Sequence, residues 1–228
     1  METTNREGAG GKLSYAPLVL AVLVLAERAI AGILAKAGHP AASLDDAYIH
    51  FQYARALAEG HPLRFQDGAP ITSGATSILW PAVLAPFWAL GARGDDILWP
   101  AWCLSFAALG GLAWEASKLT EPLAGRTAAI GAGAMTLAFG GFAWCAASGM
   151  EVVPFAWALA RASRRACEWA EAQPHDRTPR RAGELVLLAW TAACFRPEGA
   201  VTALFVGVSL ATFTRLPQWR ERALSLAA

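Results

Sequence analysis

PLVLAVLVLAERAIAGILAKA, residues 17–37, sets the class of this chain. The run is close to the ~20 apolar residues that carry a helix across a bilayer, and it is longer than the apolar segment of a secretory signal. The expectation is a first transmembrane helix. Glu27 and Arg28 stand inside it, where hydrocarbon penalises ionisable groups, so both are expected to point into a helical bundle. Composition agrees: of 228 residues 55% are hydrophobic and 16% charged, with a mean hydropathy of +0.35, where ordinary soluble domains are roughly a quarter charged. A formal charge of +1 leaves no excess to attract nucleic acid, and none is expected as a partner. Cys103, Cys145, Cys167 and Cys194 lie in apolar stretches without CxxC spacing and read as small core residues, not as disulfides or zinc ligands.

Outward from this run, residues 1–14 are polar and read as a cytoplasmic tail. On the other side, residues 38–74 gather Asp45, Asp46, His50, Arg55 and Glu59 in an expected external loop. Asp45 to Glu59 holds no Gly or Pro and predicts a helix, with turns at Gly60, Pro62, Gly68 and Pro70. Tyr48, Ile49, Phe51, Tyr53 and Leu57 are spread around it, which suits a helix lying on a membrane surface or against other helices. Apolar runs follow at 75–92, 96–115 and 127–147. Val152 to Ala162 then enters a segment, 161–182, holding Arg161, Arg164, Arg165, Arg177, Arg180 and Arg181, which the positive-inside rule places in the cytoplasm. The last apolar region, 184–213, is broken by Arg196-Pro197-Glu198-Gly199 and is too short for two crossings of about twenty residues each. A pair of short helices meeting at the break is expected, followed by a cytoplasmic tail over 215–228. The fold class that results is all-α: a polytopic transmembrane bundle over 15–214 with one surface helix. Placing Asp45 and Glu151 on the same face requires that one of the three middle runs be partial. Residues 75–92, with Pro81 and Pro86, and 127–147, with Gly131, Gly133, Gly140 and Gly141, both qualify. Gly133, Gly140 and Gly141 read as close-packing points between helices.

The chemistry follows from that topology. Asp45, Asp46 and Glu151 gather at one membrane face, where carboxylates can hold a divalent cation such as magnesium or manganese, or accept a proton from a hydroxyl. The plainer reading of the same residues is helix-start acids, with Ser43 and Asp46 spaced like a capping box. Arg196 and Glu198 flank a proline inside an apolar region, either as a mutual ion pair or with the guanidinium presented to an anionic group. His39, His61 and His175 read as surface residues, whereas His50 lies near the acidic pair. No dinucleotide, P-loop, nucleophile-elbow or zinc signature occurs.

Four blocks in order resemble a known family. Asp45-Asp46-Ala47-Tyr48-Ile49 with Tyr53-Ala54-Arg55 and Ala58-Glu59-Gly60-His61, then Thr76-Ser77 with Leu79-Trp80, then Ser148-Gly149-Met150-Glu151, then Arg196-Pro197-Glu198-Gly199 resemble the N-terminal part of GT-C polytopic glycosyltransferases, most of all the bacterial arabinofuranosyltransferase-like and mannosyltransferase-like branch. Ile78 stands where that pattern has proline. The resemblance implies transfer of a sugar from a polyprenyl-phosphate donor to a glycan, lipid or protein acceptor, on the extracytoplasmic side of a multi-pass protein of the inner membrane. It implies catalytic or metal-holding roles for Asp45, Asp46 and Glu151, a donor-phosphate role for Arg196, and substrate contacts for His50 and Arg55. Because such enzymes continue through more helices, it also implies a truncated and inactive or partner-dependent product. The competing readings are a transport protein with Glu27, Arg28, Arg196 and Glu198 on an ion path, and a non-catalytic membrane scaffold.

Overall fold

The computed structural model describes residues 16–72 and 74–226, with side chains described through residue 212. Eight α-helices are found among them: α1 Ala16–Ala37, α2 Asp46–Ala58, α3 Leu79–Ala89, α4 Leu98–Ala138, α5 Gly140–Ala147, α6 Val152–Glu171, α7 Pro179–Phe195 and α8 Gly199–Leu226. Short 3-10 turns at Gly94–Ile97 and Pro174–Asp176 lead into α4 and α7.

Local chemistry accounts for the ends of α2. It begins where the Asp45 side chain accepts the Asp46 N–H, at 3.1 Å. The cap is therefore Asp45 itself and not the Ser43–Asp46 box. The helix stops at Gly60, whose positive φ of 86° lets the Gly60 N–H reach the Leu57 carbonyl and the His61 N–H reach the Ala56 carbonyl, at 3.2 and 2.7 Å. That pair of bonds is a Schellman stop.

Helix α4 is two arms. Gly125 leaves helical geometry (φ 78°, ψ 177°), three residues after Pro122. A Cβ on Gly133 would sit 3.3 Å from the Ala113 carbonyl oxygen and against the Ser117 hydroxyl. On a straight helix those residues would be about 30 Å apart at ~1.5 Å per residue, so the chain doubles back at Gly125. Gly133 is thus a close-packing point as expected, while a Cβ on Gly140 meets nothing within 4 Å.

The principal core lies where α2, α3, α4, α5 and α6 meet, around Trp80, Leu84, Leu98, Trp102, Phe106, Leu109 and Val153. A smaller core of Trp169, Leu185, Ala189 and Val206 joins α6, α7 and α8. All four cysteines are free, and Cys103 and Cys167 are exposed, which corrects their reading as core residues.

The all-α class stands, but the polytopic membrane bundle does not. Among the described residues two helices have the length and apolarity to cross a membrane, Ala16–Ala37 and the helical stretch Gly94–Ala138. More than half of the apolar window in the second, 56%, is buried inside the protein. The run at 75–92 yields only α3, 11 residues, about 16 Å long against a hydrocarbon core of about 30 Å. The run at 127–147 is divided between the short returning arm of α4 and the 8-residue α5. Apolar residues that sequence assigns to lipid are spent instead on helix-to-helix contact, because burial in protein and burial in hydrocarbon demand the same side chains. The multi-pass inner-membrane location with an extracytoplasmic active face rested on those crossings and falls with them. The tail over 1–14 lies outside the described residues; the backbone of 215–226 continues α8 without interruption.

Glu27 and Arg28 are also displaced from their expected place. They pair with each other at 3.2 Å, and their side chains are 62% and 81% exposed. Neither enters the bundle.

Candidate functional site

Two buried indoles fix the loop that carries Glu151. Trp80 Nε1 donates to the Gly149 carbonyl at 2.9 Å and Trp102 Nε1 donates to the Ala147 carbonyl at 2.8 Å, while Ser105 donates to the Met150 carbonyl at 3.4 Å. Gly149 has a φ of 80°, and a Cβ there would lie 2.9 Å from Leu98 and 3.1 Å from Phe51, so the turn requires glycine twice over. Glu151 emerges from this turn fully buried, immediately before α6.

A second tie brings the helix break to the same place. Ser77 Oγ accepts the Trp80 N–H at 3.0 Å and reaches the Cys194 carbonyl at 3.5 Å, which also accepts the Ile78 N–H at 3.2 Å. The start of α3 is thereby bound to the end of α7, and Arg196 follows in extended backbone (φ −152°). Its guanidinium donates to Glu151 Oε1 at 3.2 Å and to Glu198 Oε1 at 3.4 Å. Arg196 thus makes the expected ion pair with Glu198, and in addition it holds the buried Glu151 carboxylate.

The third member comes from α2. His50 is buried, with Nε2 3.3 Å from Glu151 Oε2 and 3.4 Å from the Thr76 hydroxyl. The carboxylate contact lacks hydrogen-bond direction, which leaves Glu151 Oε2 a buried polar atom without a hydrogen-bond partner, and His50 Nδ1, the other ring nitrogen, is a second such atom. Such atoms cost about 1–3 kcal/mol each unless something satisfies them, so they mark a place where a ligand or a proton gains. Asp46 is exposed and acts on His50 through space, Asp45 is exposed and caps α2, and Arg55 pairs with Glu59 at 3.3 Å. Of the residues expected at a site, then, His50, Glu151 and Arg196 converge with Asp46 near them, whereas Asp45 and Arg55 serve their own helix. Among the described residues no three His, Cys, Asp or Glu side chains are grouped so as to hold a metal ion.

Burial pushes the His50 imidazole below its ordinary value of 6.5 and outweighs the upward pull of Glu151 and Asp46; Arg196 adds to the lowering. A lowered folded-state value means that the unfolded chain takes up the proton first. Stability is then expected to be full above about pH 6.5 and to fall as pH drops below it, until His50 is protonated in the folded protein as well. Thermal melts from about pH 7.5 down to about pH 5.5 should show a fall of several degrees, and His50→Gln should flatten that part of the profile. A His50→Gln protein that loses stability as steeply as the wild type over this range would remove His50 as the cause.

Beside this cluster lies an apolar cleft of about 620 Å³, lined by Tyr53 and Leu57 of α2, the 62–78 segment, and Pro81 and Ala82 of α3. Tyr53 is one turn beyond His50, and Thr76, which reaches His50, stands between the lining residues Ala75 and Ser77. The Tyr53 hydroxyl donates to the Thr72 carbonyl at 3.4 Å and accepts the Gly74 N–H at 3.1 Å, holding the cleft wall in place.

One polar constellation escaped the reading of the sequence. Glu115 is fully buried in α4 and receives Arg161 at 3.3 Å and Arg164, while Arg165 pairs with Glu184 at 2.5 Å. The Arg165 hydrogen bond holds the Glu184 carboxyl below the usual range. The signal was present: an acid inside an apolar run, with arginines spaced at helical intervals downstream.

No family model matches the chain, nor does any curated protein or any solved structure. The short blocks that resemble GT-C enzymes are thus not accompanied by similarity along the chain, by the family's many crossings, or by a metal-binding group among the described residues. The assignment to that family, and the sugar transfer from a polyprenyl phosphate that came with it, are corrected accordingly.

Proposed function

We propose that this chain is a lipid-associated binding protein, taking an amphiphile whose apolar tail lies in the cleft between α2 and α3 and whose head donates hydrogen bonds to Glu151. The observation that carries this is the fully buried Glu151, with one oxygen held by Arg196 and the other unpartnered next to His50, whose contact Thr76 stands between two residues of the cleft wall. A carboxylate oxygen in low dielectric is a strong acceptor for a hydroxyl or an amine. Glu151 and Glu198 share the single guanidinium of Arg196, and Asp46 acts on His50 through space, so the site favours a neutral, hydroxylated or cationic head and disfavours an anion. Association with lipid is supported by apolar side chains that the fold leaves outside: Leu20 (63%) and Leu23 (60%) on α1, Leu187 (60%) and Trp190 (59%) on α7, Leu204 (65%) and Phe205 (67%) on α8.

Titration calorimetry with decylamine, decanol and decyl phosphate, which share one tail, tests the head preference. Decylamine and decanol should bind at least about tenfold more tightly than decyl phosphate, and Glu151→Gln, measured at a temperature where the variant remains folded, should weaken decylamine by about tenfold. Equal affinity for all three heads, or a folded Glu151→Gln protein with unchanged affinity, would defeat the reading. Repeating the titration with magnesium or manganese reads a divalent ion at Asp46 and Glu151 as a metal-dependent gain for decyl phosphate.

A further inference from the structure

A second constellation lies on the outer side of α1. Leu20, Val24, Arg28, Gly32 and Lys36 follow one another at four-residue intervals and form one ridge of the helix. The ridge is divided along its length. Its first half is apolar and uncovered, with Leu20 63% and Val24 49% exposed, and its second half carries the two cations on either side of a glycine. A Cβ on Gly32 meets nothing within 4 Å, so the glycine is a notch open to the outside.

That notch is the floor of a cleft of about 690 Å³ between α1, residues 41–43 and α5. Arg28, Lys36 and Ser43 line it together with Trp144, and no Asp or Glu is among its lining residues. Glu27 pairs with Arg28 from outside the lining, and Lys36 has no ion pair among the described residues. Cations with a hydroxyl and no acid make an anion receptor, and an indole at the rim suits the boundary between lipid and water.

We propose that this ridge binds one anionic phospholipid, with its phosphate over Gly32 between Arg28 and Lys36 and its acyl chains along Val24 and Leu20. Charge complementarity selects the anion, and the apolar half of the same ridge selects a lipid over free phosphate. Long Arg and Lys side chains reach a headgroup while their stems remain on apolar surface. The preference is opposite in sign to that of the Glu151 cluster and rests on different residues, so either assignment can fail without the other.

The test uses the full chain in lipid nanodiscs, with native mass spectrometry reading retained phosphatidylglycerol and phosphatidylcholine of equal chain length. The wild type should retain one phosphatidylglycerol in preference to phosphatidylcholine. Arg28→Gln with Lys36→Gln should reduce that preference at least about tenfold. Gly32→Leu keeps both charges, fills the notch in open space and should reduce it as well, and an unchanged melt establishes that the fold is intact. Millimolar inorganic phosphate should leave the bound lipid in place. Equal retention of the two lipids by the wild type, preference surviving in the double variant, or displacement by inorganic phosphate would each overturn the proposal.

Discussion

Glu115→Ala is expected to destabilise the protein by about 3–5 kcal/mol, the range for removing one partner of a buried ion pair. Glu115 is fully buried and Arg164 is 15% exposed on its side chain, so the alanine leaves a guanidinium largely excluded from water and without its principal acceptor. Glu168 still reaches Arg164 but from the exposed side, and Arg161, 38% exposed, can turn toward Glu184. The loss is therefore concentrated on Arg164 and on the contact between α4 and α6. Chemical unfolding followed by circular dichroism measures it. Replacing both partners, with Glu115→Leu and Arg164→Met, should recover most of the loss, since apolar side chains of similar size avoid the desolvation cost of both charges. A single variant within about 1 kcal/mol of wild type would show that water or Glu168 compensates, and the pair would then be no part of what holds the two helices together.

The helix over 45–59 was legible because it holds no Gly or Pro and is followed at once by Gly60, and the break at Arg196-Pro197-Glu198-Gly199 was legible because proline removes a donor and α7 indeed stops at Phe195. What composition does not contain is the partner of an apolar face. The residues of 75–92 and 127–147 are apolar enough for lipid, yet Trp80, Leu84 and Leu137 lie in the protein core, so counting runs counted crossings that short helices do not make. Nor does it contain the atoms left over. That His50 Nδ1 and Glu151 Oε2 end without partners depends on the Gly149 turn and on two indole bonds from residues 69 and 45 positions away. Asp45 and Arg55 show the converse: charged residues in a suggestive block that satisfy only their own helix.

Gly199→Ala should produce the other large effect, through packing alone. A Cβ at this position would lie 2.6 Å from the Ala193 nitrogen and collide with the Ala192 carbonyl, and both are backbone atoms that cannot rotate aside. Gly199 has no positive φ, so alanine fits its local conformation, and at the first residue of α8 helix propensity alone would favour it by less than about 1 kcal/mol. The collision outweighs that gain: α8 must back away from α7, at a cost of about 3 kcal/mol or more for overpacking against fixed backbone. Gly207 supplies the internal comparison, since it lies in the same helix, is exposed and has open space where a Cβ would go. Gly207→Ala should be neutral or slightly stabilising while Gly199→Ala is strongly destabilising, and equal melting temperatures for the two would mean that α7 and α8 do not meet as closely as this. The consequence reaches the site, because the Gly199 N–H closes the turn on the Arg196 carbonyl at 2.9 Å. Moving α8 therefore moves Arg196 away from Glu151 Oε1. At temperatures where Gly199→Ala remains folded, its affinity for decylamine should fall together with its stability, whereas Gly207→Ala should bind as the wild type does.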